Sequence, residues 1–399
     1  MALVPLSYNV RSLWVRKSAT FLTVLGIGAT VAVLAGVLAL RSGFQGLFRD
    51  NGRDDIAVFL RQGSTNEGDS AFTRERAEIL TKTLDVFEQD ASGKPLVSTE
   101  TYLAVRMFKT DGGETNVPVR GVQPTTFAIF GDDVRVLEGR TFTLGADEVI
   151  VGDKIASRLR DGGLGDTIQF NTTPFRVVGV FHHAGAFSSE IWGDRDRLME
   201  ALERPVLNRV IGRIKPGVDI GWDDEDDKPK SGLALQLDAD PQVPCKVMTE
   251  RQYLMSQSAA LGAVLLVLGQ VLAIIMGIAA VFTATNTMLS ALAARTREIG
   301  ILLSLGFKPW AIFLSFLFES MLLGLFGGVV GCVLAYPIHG TETGTMNFNT
   351  FTEVAFAFRL TPELLAQAVG FSIVLGLLGG AWPAFRAASM EPTRTMRRE

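Results

Sequence analysis

Only two cysteines occur in 399 residues, Cys245 in a polar region and Cys332 in an apolar one, which excludes a disulfide framework. No GxxxxGK[ST] phosphate loop is present, so the chain offers no ATP site of its own. With 38 Lys and Arg against 42 Asp and Glu, the net charge of -4 lacks the basic excess of a nucleic-acid binder. Histidine is scarce at three, and no Ser/His/Asp or Cys/His arrangement follows from spacing. The most informative shortage is local. No charged residue falls in 18–40, 252–294, 309–318, 320–341 or 364–385, although the chain as a whole is 20% charged. That partition excludes an ordinary soluble single-domain enzyme and leaves two materials, one apolar enough for a membrane and one suited to water.

A bilayer core of about 30 Å needs roughly 20 apolar helical residues, and four regions meet that length: 19–41, 256–290, 309–338 and 363–385. The first could be read as a signal peptide, since Arg11, Arg16 and Lys17 precede it. Its apolar run is too long, and no clear small-x-small cleavage site follows, so a retained span is expected. Segments 1–17, 295–308 and 386–399 hold ten Lys or Arg and three acids, whereas 339–363 holds one Arg and three Glu. The positive-inside rule then puts both termini in the cytoplasm. The 43 uncharged residues at 252–294 would run about 64 Å as one helix, twice the bilayer, so part must leave the membrane as a stalk.

The fold class expected is therefore a polytopic α-helical membrane protein with four transmembrane helices and a large α/β extracytoplasmic domain, residues 42–255, between the first two. Within that domain, 101–122 alternates around Asp111-Gly112-Gly113, a hairpin signal. Residues 148–151, 165–170 and 175–181 read as strands, 154–159 as a helical turn, and 73–88 as an amphipathic helix. His182 and His183, adjacent on a strand, point to opposite faces and do not jointly bind a metal. The acid run Asp223, Asp224, Glu225, Asp226 and Asp227 lacks the alternating ligands and Gly of a calcium loop and reads as solvated.

Residues 291–308 form a short element between the second and third spans. It opens with charge, continues apolar, is closed by Gly306 and is followed by Pro309, which suits the first turn of the next helix. Ile301, Leu302 and Leu305 make an apolar stripe fit to lie along the membrane surface or to dock a partner. Apart from Arg41 and Glu363 at span ends, Glu319 is the one charged residue inside a span. By default such a carboxylate faces a protein interior or a polar cavity, and a protonated or paired group tying the third span to a neighbour is preferred here over a proton-linked site. Small residues at four-residue spacing, Gly28, Ala32 and Gly36, then Gly324 and Gly328, Gly327 and Gly331, Gly376 and Gly380, predict close helix approach.

The run TREIGILLSLGF at 296–307, preceded by TNTMLSALAAR, resembles the loop of the FtsX/MacB-type ABC transporter permeases. Three further regions are similar to that family: LSYNVRSLWVRKSATFLTVLGI at 6–27, EVIVGDKIASRL with GDTIQF and FRVVGVF at 148–181, and GGAWPAFRAASMEPTRTMR at 379–397. The resemblance implies a cytoplasmic amphipathic helix at 1–18, an external loop at 339–362, a basic cytoplasmic tail at 386–399, and residence in the bacterial inner membrane.

It further implies a permease, homodimeric or heterodimeric, that binds two copies of a separate ATPase and carries no cofactor itself; ATP and Mg would be bound by that partner. Arg297, Glu298, Ile299, Gly300, Leu303 and Gly306 take the ATPase-coupling role, and the first two spans would relay the ATPase stroke to the external domain. Membrane lipid and an external cargo (lipoprotein, lipid, peptide or drug) are the expected contacts, and nucleic acid is not. An FtsX-like signalling permease controlling a cell-wall hydrolase is the alternative, and a membrane-anchored receptor a third reading.

Overall fold

The computed structural model describes residues 11, 14, 15, 17–49, 51–224, 226–346 and 352–390. The expected N-terminal amphipathic helix and the basic tail fall mostly outside the described residues, as does Glu225. In chain order the first elements are α1 (Lys17–Arg49), β1 (Ile56–Arg61), α2 (Arg74–Thr83), β2 (Val97–Phe108), β3 (Glu114–Val122), α3 (Pro124–Phe130) and β4 (Val134–Gly139). Then come β5 (Glu148–Gly152), α4 (Asp153–Ala156), β6 (Thr167–Phe170), β7 (Thr173–His183), β8 (Ile191–Asp194), α5 (Arg195–Ala201) and β9 (Arg209–Arg213). A two-residue ladder, β10 (Trp222–Asp223) with β11 (Lys228–Pro229), precedes α6 (Gly232–Asp238) and β12 (Cys245–Thr249). The remainder is α7 (Glu250–Ala294), α8 (Thr296–Ser304), α9 (Pro309–Ala335), β13 (Glu342–Met346), β14 (Glu353–Ala357) and α10 (Pro362–Ala388).

Two compact units result. One comprises Phe44–Gly262 and Glu342–Phe356, the other Met1–Gly43, Ala263–Thr341 and Ala357–Glu399. The first is an α/β unit on a 10-stranded sheet ordered β12-β1-β9-β2-β3-β8-β5-β7-β4, with β6 paired to β7. Its apolar core divides at β2–β3. Phe59, Val210 and Val247 from β1, β9 and β12 pack with Ala77, Leu80 and Leu237 from helices α2 and α6. Val119, Val149, Val177 and Ile191 pack on the other side with Ile155 and Leu198 from α4 and α5. β5 reads Val149-Ile150-Val151 and all three are buried, as a strand covered on both faces requires.

The β2–β3 hairpin turns at Asp111-Gly112-Gly113, with Leu103 opposite Val119 and Phe108 opposite Glu114. Gly112 has φ +86°, a conformation that glycine adopts without steric cost. Helix α2, capped by the Thr73 hydroxyl accepting from the Arg76 amide, stops at Thr83 instead of reaching residue 88. The last residues turn back to the sheet, where the Glu88 amide donates to the Arg213 carbonyl at 2.8 Å and Phe87 enters the core. His182 and His183 diverge: His182 Nδ1 lies 2.7 Å from the Asp153 carboxylate, while His183 is buried against Phe130 and Phe187, and burial pushes its pKa down to about 4.

At the heart of this unit lie five charged side chains that composition does not reveal. Arg120 donates from Nε and Nη2 to the two Glu190 oxygens, each at 2.7 Å, and also pairs with Glu67 and Glu100. Arg209 Nε donates to Glu100 at 2.7 Å. All five are buried, and Phe187 stacks within 5.3 Å of both guanidinium carbons. Trp192 Nε1 and the Thr126 hydroxyl donate to Glu190 and Glu100 at 2.8 and 3.0 Å, filling remaining acceptors.

The chain leaves α1 and enters α7 through a shared neck. The Arg53 amide donates to Glu250 Oε2 at 3.2 Å, the Arg251 amide donates to the Arg53 carbonyl at 3.1 Å, and Arg251 Nε donates to both Asp54 oxygens at 3.0 Å. A Cβ on Gly52 would sit 2.5 Å from Arg251 Cα, so only glycine allows this approach. The sequence at 339–362, read as a plain loop, contributes the β13–β14 ladder to the same unit. There Glu353 pairs with Lys109 at 2.5 Å and Arg158 at 2.8 Å, and the Ala355 amide donates to Ser189 Oγ at 3.2 Å.

The helical unit contains four helices long and apolar enough to cross a membrane: 17–48, 261–294, 309–338 and 362–388. Helix α7 is continuous over 45 residues, about 68 Å, beginning at Glu250. Glycines decide how the others meet. A Cβ on Gly324 would lie 2.5 Å from the Ser372 carbonyl, and one on Gly376 2.5 Å from the Ser320 carbonyl, so α9 and α10 touch backbone to backbone. Gly328 and Gly380 instead make room for the side chains of Ser372 and Ser320. The other glycine face of α9, Gly327 and Gly331, receives Ile27 and Val31 of α1, with Gly28 beside Gly327. Of the small-residue stripe read in α1, Gly28 meets α9 within the chain. Ala32 is half-buried and Gly36 has its nearest neighbour at 3.8 Å, because the buried stripe is Ile27, Val31, Ala35 and Ala39.

Two outcomes are expected. Burial holds the Glu250 carboxyl up at about 7, against the pull of Arg209 and the Arg53 amide. A raised carboxyl gives stability that is fully present below its unfolded value near 4.5 and is lost as pH rises through about 7. Unfolding midpoints of the wild type and Glu250→Gln, followed by tryptophan fluorescence from pH 4.5 to 8, should therefore diverge as pH rises, the variant losing less by up to about 3 kcal/mol. Second, Gly324→Ala should lower the unfolding temperature of the detergent-solubilised protein, at about 1–3 kcal/mol, while Gly36→Ala leaves it unchanged.

Candidate functional site

The residues between the second and third membrane helices fold as α8, and both ends of that helix are defined by the sequence. Arg295 occupies the N-cap without a side-chain cap bond, and Glu298 supplies an acid in the first turn. At the other end Gly306 turns the chain at φ +92°, with its amide donating to the Leu303 carbonyl at 3.1 Å and the Phe307 amide to Leu302 at 3.2 Å. Pro309 then opens α9, where its missing N–H costs nothing.

Helix α8 has one buried and one open face. Ile299 and Gly300 are buried and Leu303 is half-buried; Ile299 packs with Met288, Leu292, Ile312 and Phe316. These three residues, expected to contact a partner, are turned inward. The reason is period: 299, 300 and 303 share one side of a helix that rests on the membrane helices. Arg297, Glu298, Ile301 and Leu305 point outward, with Ile301 46% and Leu305 72% exposed. Leu302, read into the same apolar stripe, is half-buried at its flank.

Glu319 is buried in the helical unit, and its partner is Arg295, whose Nη1 donates to Glu319 Oε2 at 3.0 Å. The guanidinium lies 5.7 Å above the Phe316 ring and reaches Glu298 Oε2 through Nε at 3.4 Å. Counting charges puts Arg295 among the solvent-facing cytoplasmic cations, but it is only 9% exposed. The available signal was the isolated acid itself: a carboxylate deep in an apolar helix needs a cation, and Arg295, the residue between α7 and α8, comes back to α9. Hydroxyls add two further ties in this unit, Thr23 to Thr287 at 2.7 Å and Thr285 Oγ1 donating to the Gly379 carbonyl at 2.9 Å. Among the described residues no group of three or more His, Cys, Asp or Glu is arranged to hold a metal ion.

Residues 20–221 match the family model of the MacB-like periplasmic core domain, and residues 270–392 match that of the FtsX-like permease C-terminal region. The macrolide export ATP-binding/permease protein MacB of Chromobacterium violaceum is 26% identical over 416 residues, an alignment that takes in 100% of this chain and 60% of that protein. The pyoverdine export ATP-binding/permease protein PvdT of Pseudomonas entomophila is 26% identical over 407 residues, with 98% of this chain and 59% of that protein. The chain thus spans about three fifths of the length of these curated relatives. The crystal structure of the periplasmic region of MacB from Actinobacillus actinomycetemcomitans covers 51% of this chain and 92% of its own at 16% identity, with a TM-score of 0.35. From the two family models, the first of which covers half of the chain, the chain belongs to the MacB-like and FtsX-like permeases of ABC transporters and is a multi-pass protein of the bacterial inner membrane.

Proposed function

We propose that this chain is the membrane and external half of an ATP-driven machine, that the open face of α8 receives a separate ABC ATPase, and that the resulting motion reaches the α/β unit mechanically. The observation that carries the reading is the division of α8. Its inner face is anchored among α7, α9 and α10, while Arg297, Glu298, Ile301 and Leu305 are exposed among the described residues. Exposed leucine and isoleucine flanked by opposite charges suit a docking surface in which an apolar centre supplies affinity and charge supplies register.

ATP and Mg would bind in the ATPase, since this sequence holds no phosphate loop. Both termini would be cytoplasmic and the α/β unit external, with the permease paired as a homodimer or heterodimer and two ATPase copies beneath it. Helix α7 supports a mechanical relay, because 45 uninterrupted residues give a rod about twice the bilayer core. Among the described residues the apolar spans contain one buried acid, already paired, which favours a lever over an aqueous channel. The cargo class we infer is hydrophobic or amphipathic, handled at the external unit; that two relatives carry macrolide export and pyoverdine export in their names supports this class for the present chain.

The test is purification of the full chain with its ABC ATPase. Leu305→Asp, or Arg297→Ala together with Glu298→Ala, should weaken co-purification by about tenfold or more, or abolish stimulation of ATP hydrolysis. The external unit should remain folded by tryptophan fluorescence. Unchanged binding and unchanged stimulation would reject the docking face.

A further inference from the structure

Arg295 occupies a position that helix formation alone does not explain. A helix N-cap favours Ser, Thr, Asp or Asn, whose oxygen satisfies a free amide, and a cation at that end opposes the helix dipole. Arg295 supplies no cap bond to α8 and is nonetheless buried there. Its guanidinium stands between two carboxylates in unlike surroundings. Glu319 on α9 has a side chain 3% exposed, and Glu298 on α8 has one 58% exposed. The two contacts therefore differ in strength. At Glu319 the pair is shielded from water and breaking it would strand a charge in an apolar interior, whereas the longer contact to Glu298 is screened by solvent and is readily exchanged.

We propose that Arg295 is the positioning residue of the coupling element: clamped to Glu319, it fixes where the open face of α8 sits and carries displacement of that face into the third membrane helix. The inference rests on the docking role given to α8 and adds the route by which load leaves it. A partner group that engages Glu298 replaces the weak contact while the clamp to Glu319 stays closed, so docking and transmission are borne by different bonds of one side chain. Phe316, beneath the guanidinium on the same helix as Glu319, keeps the clamp in register. Transmission then requires the ion pair, and docking does not.

The experiment uses the full chain in lipid vesicles, in a Cys332→Ala background because Cys245 is buried, with a nitroxide spin label on Ser304→Cys at the exposed end of α8. Glu319→Gln and Arg295→Met should each raise label mobility without loss of helix content, and the exchange Arg295→Glu with Glu319→Arg should restore the restricted spectrum. With the ABC ATPase added, Glu319→Gln should keep co-purification but lose stimulation of hydrolysis by about tenfold or more, whereas Glu298→Ala should lose co-purification with the label still restricted. Unchanged mobility in both single variants would overturn the clamp, as would single variants that mobilise the label with no recovery in the exchange. Failure of Glu298→Ala to affect binding, with the clamp variants behaving as expected, would reject the docking role alone.

Discussion

Taking a charge out of water is expensive unless an opposite charge meets it, and both units of this molecule are arranged around that cost. In the helical unit the solution is exclusion: long stretches carry no charge, and Glu319, the one buried acid of the spans among the described residues, is met by Arg295 at 3.0 Å. In the α/β unit the solution is a closed network, in which Arg120 and Arg209 are neutralised by Glu67, Glu100 and Glu190 and the leftover oxygens are bonded by Trp192 and Thr126. Such networks are poor sources of raw stability compared with apolar packing. They specify one arrangement, because a shifted strand would leave a charge unpaired.

That network also touches the parts of the α/β unit that lead toward the membrane helices. The Tyr253 hydroxyl, in the second turn of α7, accepts from the Glu67 amide at 3.3 Å, and Gln257 Nε2 donates to the Thr65 carbonyl at 3.0 Å one turn later. Ser189, adjacent to Glu190, receives the amide of Ala355 from the β13–β14 ladder. The stalk and the ladder are therefore seated on residues neighbouring the same buried charges. A relay from α7 into the sheet would meet a rigid, register-locked base, as mechanical transmission requires.

Sequence reading reached the features that depend on local pattern. The spans follow from runs without charge, the β2–β3 hairpin from Asp111-Gly112-Gly113, and α8 from its charged start and Gly306. What it missed depends on distant partners. Arg120 and Arg209 look like ordinary strand residues, since alternation cannot tell a solvated arginine from a buried one with three glutamates around it. Arg295 counts as one more flanking cation because charge counting does not register burial. The β13–β14 ladder was illegible for another reason: β13, Glu-Thr-Gly-Thr-Met, has little β pattern, and its partner β14 is seated where Lys109, Arg158 and Ser189 supply contacts. Nor does a motif report which face a residue takes: Ile299, Gly300 and Leu303 turn inward in α8.

Under the proposed function, α8 would meet the ATPase on one side of the membrane and the α/β unit would lie on the other. The direct test is reaction of a membrane-impermeant maleimide with two variants in a Cys332→Ala background whose remaining native cysteine, Cys245, is buried: Ala91→Cys on the α/β unit and Ser304→Cys on α8, both at exposed positions. In right-side-out vesicles from an expression host lacking the ATPase, Ala91→Cys should react and Ser304→Cys should be protected, with the pattern reversed in inverted vesicles. Reaction of both sites from the same side would contradict transmission across the bilayer.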